Sequence, residues 1–144
     1  MRVSGRAAGL VLSLLLLCGC SEQAAATDDV IHALSEAHSA IASSIIGIDL
    51  YDQQRATRAV TETLLDDMAE QLVDAERALE SVSIASEQTQ SERDAALAAI
   101  HAGAAAVLTS RDQLQQRGAV GNAADLESAG NQVDSVLGQL RGHQ

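Results

Sequence analysis

The stretch "LLDDMAEQLVDAERALESV" (Leu64–Val82) spaces its apolar residues three and four apart, at Leu65, Met68, Leu72, Ala75, Leu79 and Val82. A 3.6-residue turn brings such positions to one side, so the spacing predicts an amphipathic α-helix. Acids occupy much of the remainder, with Glu62, Asp66, Asp67, Glu70, Asp74, Glu76 and Glu80 in or beside it. A helix of this kind cannot bury its stripe alone, so the fold class turns on what the rest of the chain supplies as partners.

Three further segments carry the same rhythm. The first runs through Ile31, Leu34, His38, Ile41, Ile45 and Ile48, with Thr27 or Asp28 as N-cap. Carried forward by sevens, that seam arrives one residue beyond Leu65, so a turn or kink is expected within "GIDLYDQQ" (Gly47–Gln54). "SIASEQTQ" (Ser83–Gln90) reads as a polar connector, and Ser91 with Asp94 forms a capping-box-like start. The third seam is Leu97, Ile100, Ala104, Val107, Arg111 and Leu114, closed by Gly118 as a C-cap candidate. "GAVGN" is then a turn with Asn122 as the next N-cap, and Leu126, Ala129, Val133, Val136 and Leu140 form the last seam. Short connectors make joined helices antiparallel. The expectation is an all-α, up-and-down antiparallel bundle of three to four helices over residues 28–144.

Composition narrows the packing. The chain has no Pro, Trp or Phe, and Tyr51 is its single aromatic residue. Aromatic side chains usually supply the largest buried areas, so this core must be aliphatic and thin, with slender helices close together on Ala and Leu.

The N-terminus reads as an export signal, residues 1–19. Arg2 and Arg6 give a positive start, and "AAGLVLSLLLL" (Ala7–Leu17) is an apolar run shorter than the roughly 20 residues a spanning helix needs. Cys18 and Cys20 follow one residue apart, and a C-x-C metal half-site would need further Cys or His ligands at suitable spacing, which do not follow. Leu17-Cys18-Gly19-Cys20 closely resembles the lipobox of bacterial lipoproteins, with Cys18 in the variable slot. That resemblance implies a diacylglyceryl group on Cys20, which becomes the mature N-terminus, with residues 20–27 as the lipidated cysteine and a short tether. An ordinary signal peptide would instead leave Cys20 as a free thiol or an intermolecular disulfide. Seven tether residues, Ser21–Thr27, reach at most about 25 Å, so a lipidated domain stays close to the bilayer, facing outside the cytoplasm.

Without Arg2 and Arg6, seven arginines stand against twenty acids, a formal charge of −13. Nucleic acid and anionic lipid surfaces need basic patches and are disfavoured as partners. The acids Glu62, Asp66, Glu70 and Asp74 climb one helix face, about 6 Å per step, which suits a solvated face or a basic partner better than a cation cage.

Candidate chemistry is sparse. His38 occupies a seam position and His101 flanks the third seam, so the two would face each other if their helices pair; they are the candidate metal ligands. His32 and His143 lie at segment ends. The nearest approach to the paired Glu-x-x-His of di-iron bundles is one Asp29-x-x-His32, where two pairs are needed. No G-x-S-x-G context or phosphate loop is present, and the mature chain has no cysteine beyond Cys20. Tyr51 beside a bend reads as a packing residue with its hydroxyl in water, and the small-residue stretch "AIHAGAAAVL" (Ala99–Leu108) as bundle interior. No catalytic residue and no cofactor are expected. The expectation is a membrane-anchored, extracytoplasmic lipoprotein that acts through an envelope protein partner. The alternative is a bundle lipoprotein binding a small ligand or metal ion near His38 and His101.

Overall fold

The computed structural model describes residues 18–84, 86–120 and 123–142, with side-chain surroundings from residue 24 onward. Residues 1–17, which carry the export-signal reading, lie outside the described residues, as do Asn122 and His143. Four helices follow one another: α1 (Cys18–Asp52), α2 (Arg58–Glu80), α3 (Glu87–Arg117) and α4 (Ala124–Gly142). Among the described residues there is no strand. The fold is therefore the expected all-α bundle, with four helices rather than three.

Each boundary has a local cause. Gln54 takes a left-handed conformation at φ 59° after α1. The amides of Gln54 and Arg55 then donate to the carbonyls of Tyr51 and Leu50, which closes α1 and ends its hydrogen-bond ladder. Thr57 begins α2, its hydroxyl accepting from the Val60 amide. Ser86 begins α3 in the same way, its Oγ accepting from the Thr89 amide at 3.1 Å. Gly118, at φ 66°, ends α3 and donates its amide to the Leu114 carbonyl, as expected of a C-cap glycine.

The four helices pack with unequal diagonals. Each sequence neighbour is in contact, α1 packs on α4 to close the ring, and Cα atoms of α1 and α3 also come within 8 Å across it. Those of α2 and α4 do not, so the cross-section is a rhombus with α1–α3 as its short axis. Small side chains permit this approach: Ala33, Ala37 and Ala40 on α1, and Ala96, Ala99, Gly103 and Ala106 on α3, are all buried. Gly103 is the tightest point. A methyl group there would lie 2.7 Å from Cδ1 of Ile41, a fully buried side chain of α1. Gly47 plays the matching part between α1 and α2, where a methyl group would collide with Leu64.

Around this axis lie Leu34, Ile41, Ile48, Leu65, Leu72, Leu79, Ile100, Leu114 and Leu126, each with essentially no exposure. A fully buried side chain of this size contributes about 2 kcal/mol, against roughly 0.5 kcal/mol for an exposed ion pair. Apolar burial therefore decides stability. At the end of the bundle where α1 turns into α2, Tyr51 donates its hydroxyl to the Gly118 carbonyl at 2.6 Å, and Arg58 Nη2 donates to the Gln115 carbonyl at 2.7 Å. These two bonds tie the α1–α2 turn to the α3–α4 turn. The Tyr51 hydroxyl is thus engaged with protein, not with water as its place beside a bend predicts.

Several boundaries differ from the sequence reading. Backbone from Cys18 onward is already helical, where a tether over 20–27 and a cap at Thr27 or Asp28 are expected. Ala24, Ala25 and Ala26 are the strongest helix formers available, and Ala26 is buried. Thr27 instead donates its hydroxyl to Glu92 on α3 at 3.2 Å. The break expected within Gly47–Gln54 does fall there, since the helix runs through Gly47 and ends at Asp52. On α3 the cap is Ser86 and not Ser91, because Thr89, in the expected connector, is buried and draws the first turn onto the bundle.

Two substitutions follow. Gly103→Leu should lower the unfolding free energy by about 3 kcal/mol through overpacking against Ile41, measured by urea denaturation. Gln54→Gly should raise it by about 1 kcal/mol, since glycine adopts the left-handed conformation without the side-chain penalty.

Candidate functional site

Helix α2 is the most acidic element, and its neighbours divide its carboxylates into two sets. Facing α3, Glu76 Oε1 lies 2.6 Å from His101 Nε2, and Asp66 Oδ1 lies 2.6 Å from Arg111 Nε. The second pair sits ten residues on along α3 and ten residues back along α2, so both pairs report one antiparallel register. Within α2, Glu62 accepts from Arg58 Nε at 2.7 Å and Asp74 from Arg77 Nη1 at 2.5 Å. Asp67, Glu70 and Glu80 point outward and are exposed. The stripe Glu62, Asp66, Glu70, Asp74 is therefore not a uniform solvated face, since Asp66 pairs across to α3. Residues 67, 70 and 74, spaced three and four apart, are the part that faces solvent together.

Arg111 explains an oddity of the third seam. It falls at an apolar position, yet it is only half-buried and reaches Asp66. The buried stripe of α3 passes instead through Ala96, Ala99, Ile100, Gly103, Ala106, Val107, Ser110 and Leu114. It is offset toward the small residues that meet α1, and Leu97 and Ala104 are half-buried at its margin.

The histidines do not face each other. His38 Nε2 on α1 lies 3.3 Å from Asp134 Oδ1 on α4, whereas His101 pairs with Glu76 on α2. They occupy different faces of the ring, because α1 places His38 toward α4 while α3 places His101 toward α2. His32 lies 3.5 Å from Glu36 on its own helix. Among the described residues no three His, Cys, Asp or Glu side chains are grouped to hold a metal ion. The side-chain surroundings of Cys20, the lipidation candidate, are not described.

The concave spaces are grooves between helices. One of about 370 Å³ runs between α1 and α2, lined by His32, Ser35, Glu36, Ser39, Gln71 and Asp74. Another, of about 300 Å³, lies between α1 and α4, where His38, Asp134, Glu127 and Asn131 surround Gly130. The interior is filled by aliphatic side chains, and the buried polar side chains Ser44, Thr61 and Ser110 donate to carbonyls one turn back in their own helices. They need no ligand to be satisfied. No helix among the described residues is long and apolar enough to cross a membrane.

No family model matches the chain. Searches of the curated proteins and of the solved structures likewise find no match.

The separation of His38 from His101 sets an expectation for metal. Zinc should leave the melting temperature of the chain unchanged, and His38→Leu should melt alike with or without it. A zinc-dependent rise that His38→Leu removes would establish a site in the α1–α4 groove.

Proposed function

We propose that the chain is a lipid-anchored, extracytoplasmic accessory module that works by binding another envelope protein, without chemistry of its own. The observation that carries this reading is the division of carboxylates on α2. Asp66 and Glu76 are held by α3, while Asp67 and Glu70 lie side by side on the outer surface, next to Asp74, which Arg77 pairs. Exposed like charges repel one another, and a protein surface bearing Lys or Arg relieves that repulsion while matching the face in register. The aliphatic interior and the satisfied buried hydroxyls support a supporting body rather than a reactive cavity. The lipobox-like Leu17–Cys20 supplies the location, with Cys20 as the acyl attachment point. Stable anchoring takes two acyl chains or more, which a modified N-terminal cysteine provides.

Both halves are testable in a bacterial host that exports the full chain. Cys20→Ser should move the protein from the membrane fraction to the soluble fraction and abolish incorporation of labelled palmitate. Reversal of charge in Asp67→Lys/Glu70→Lys should abolish cross-links formed in intact cells from a photoreactive residue at position 71, with membrane association retained. Undiminished cross-links in that variant would refute the acidic face as the contact.

A further inference from the structure

The outer groove between α1 and α2 changes chemistry along its length. Toward one end its walls include His32 and Ser39 of α1 and Gln71 and Asp74 of α2. A step of seven residues returns to the same helix face. Such steps lead from His32 and Ser39 to Ile46, and from Asp74 through Asp67 to Val60. Gln71 leads likewise to Leu64, whose side chain lies against Gly47 of α1. Ile46 and Val60 are the two most exposed large apolar side chains among the described residues, at 59% and 61%. Leu50 and Leu64, both half-buried, lie one turn from them on the same helices. Single exposed apolar residues are ordinary, but here the two most exposed flank one groove, and such a patch marks a contact surface.

The charge of the same walls is one-sided. From Asp28 to Glu80 the two helices and their turn hold twelve acids against Arg55, Arg58 and Arg77. Arg58 is taken by Glu62 and the Gln115 carbonyl, Arg77 by Asp74, and Arg55 lies beyond α1. Helix α1 has no arginine or lysine at all. Glu36 has His32 beside it in the groove, while Asp67 and, on the outer rim, Glu70 form no ion pair among the described residues. A second copy packed groove to groove would set acid against acid. An anionic lipid surface would meet the same repulsion.

We propose that this groove takes a basic amphipathic helix of the partner protein, with apolar side chains seated on Ile46 and Val60 and lysines or arginines reaching Glu36, Asp67 and Glu70. This occupant rests on the reading of the outer face of α2 as the contact, and adds to it an apolar anchor and a shape. Both walls are helices whose backbone groups are bonded internally, so they offer an extended segment no ladder to join. A helical segment brings its own hydrogen bonds and needs only side-chain contacts. From His32 to Leu50 the groove runs about 27 Å, the length of a helix of about eighteen residues.

The test is an NMR titration of the full chain with a synthetic peptide of about eighteen residues, leucine at three-four spacing and lysine elsewhere. A peptide of the same composition without that spacing is the control. Shift changes should fall on residues 32–50 and 60–74, and the control should bind about tenfold more weakly. Ile46→Ser/Val60→Ser and Asp67→Lys/Glu70→Lys should each weaken the spaced peptide by about tenfold, since a few central contacts carry most of such an interface. Ile84→Ser/Leu108→Ser, which removes exposed apolar side chains elsewhere, should change it by less than about twofold. These side chains are exposed, so every variant should keep the parent melting temperature. Binding that is lost on charge reversal but indifferent to Ile46→Ser/Val60→Ser, or equal binding of the two peptides, would overturn the helical occupant and leave the acidic face standing. Binding indifferent to the charge reversal would overturn both. No binding of the spaced peptide, or dimerisation of the chain through Ile46 and Val60, would likewise overturn the helical occupant.

Discussion

The rest of the structure depends on the contact between Ile41 and Gly103. A core with no Phe or Trp has little bulk to fill the centre of a four-helix ring, and a void there would forfeit dispersion contacts on every side. This chain closes the gap by drawing one diagonal in. Glycine at position 103 lets the Ile41 side chain lie directly on the backbone of α3, and alanines above and below extend the approach. Once α1 and α3 meet, α2 and α4 are held apart on either side of them, each against both. The positions of the turns, the pairing of the ends and the outward faces of the two short helices all follow from this rhombic section.

Electrostatics does a different job. Interhelical pairs such as Arg111–Asp66 and His101–Glu76 are partly solvated, and their net worth is small beside the buried aliphatic side chains. Their common register between α2 and α3 shows what they contribute, which is alignment of two helices whose apolar stripes alone tolerate sliding by a turn. The carboxylates not used in this way remain on the outside. The same helix thereby carries one face aligned with α3 and another open to solvent, while Tyr51 and Arg58 hold the two turns at one end of the bundle together.

Much of this was legible in the sequence. The seam of α2 is the one the spacing predicts, with Leu65, Leu72, Ala75, Leu79 and Val82 buried and Met68 at its edge. Leu126, Ala129, Val133 and Leu140 did the same for α4, and Gly118 closed α3 as its type suggests. The failures have a common physical cause. A 3-4 pattern of large residues locates one buried stripe, but α1 and α3 each meet three neighbours and bury a wider arc. On those helices alanine, glycine and serine are core residues, and they carry little hydropathy signal. This is why Ala96 was interior where Leu97 was expected and why His38 and His101 diverged, whereas Ala99 and Gly103 lie inside as the small-residue stretch Ala99–Leu108 suggested. The one-residue phase slip after Ile48 was a true signal of a break, but it did not say that the turn came after Asp52. The partner of the Tyr51 hydroxyl, 67 residues away in sequence, left no local trace at all.

The contact at the centre is open to direct observation. In a nuclear Overhauser spectrum of the chain with labelled isoleucine methyls, the Ile41 δ1 methyl should show strong cross-peaks to the Gly103 α protons and weaker ones to the Leu72 methyls. Cross-peaks from Ile41 to α2 and α4 alone, with none to Gly103, would mean that the α1–α3 diagonal is open and that the helices are arranged around some other axis.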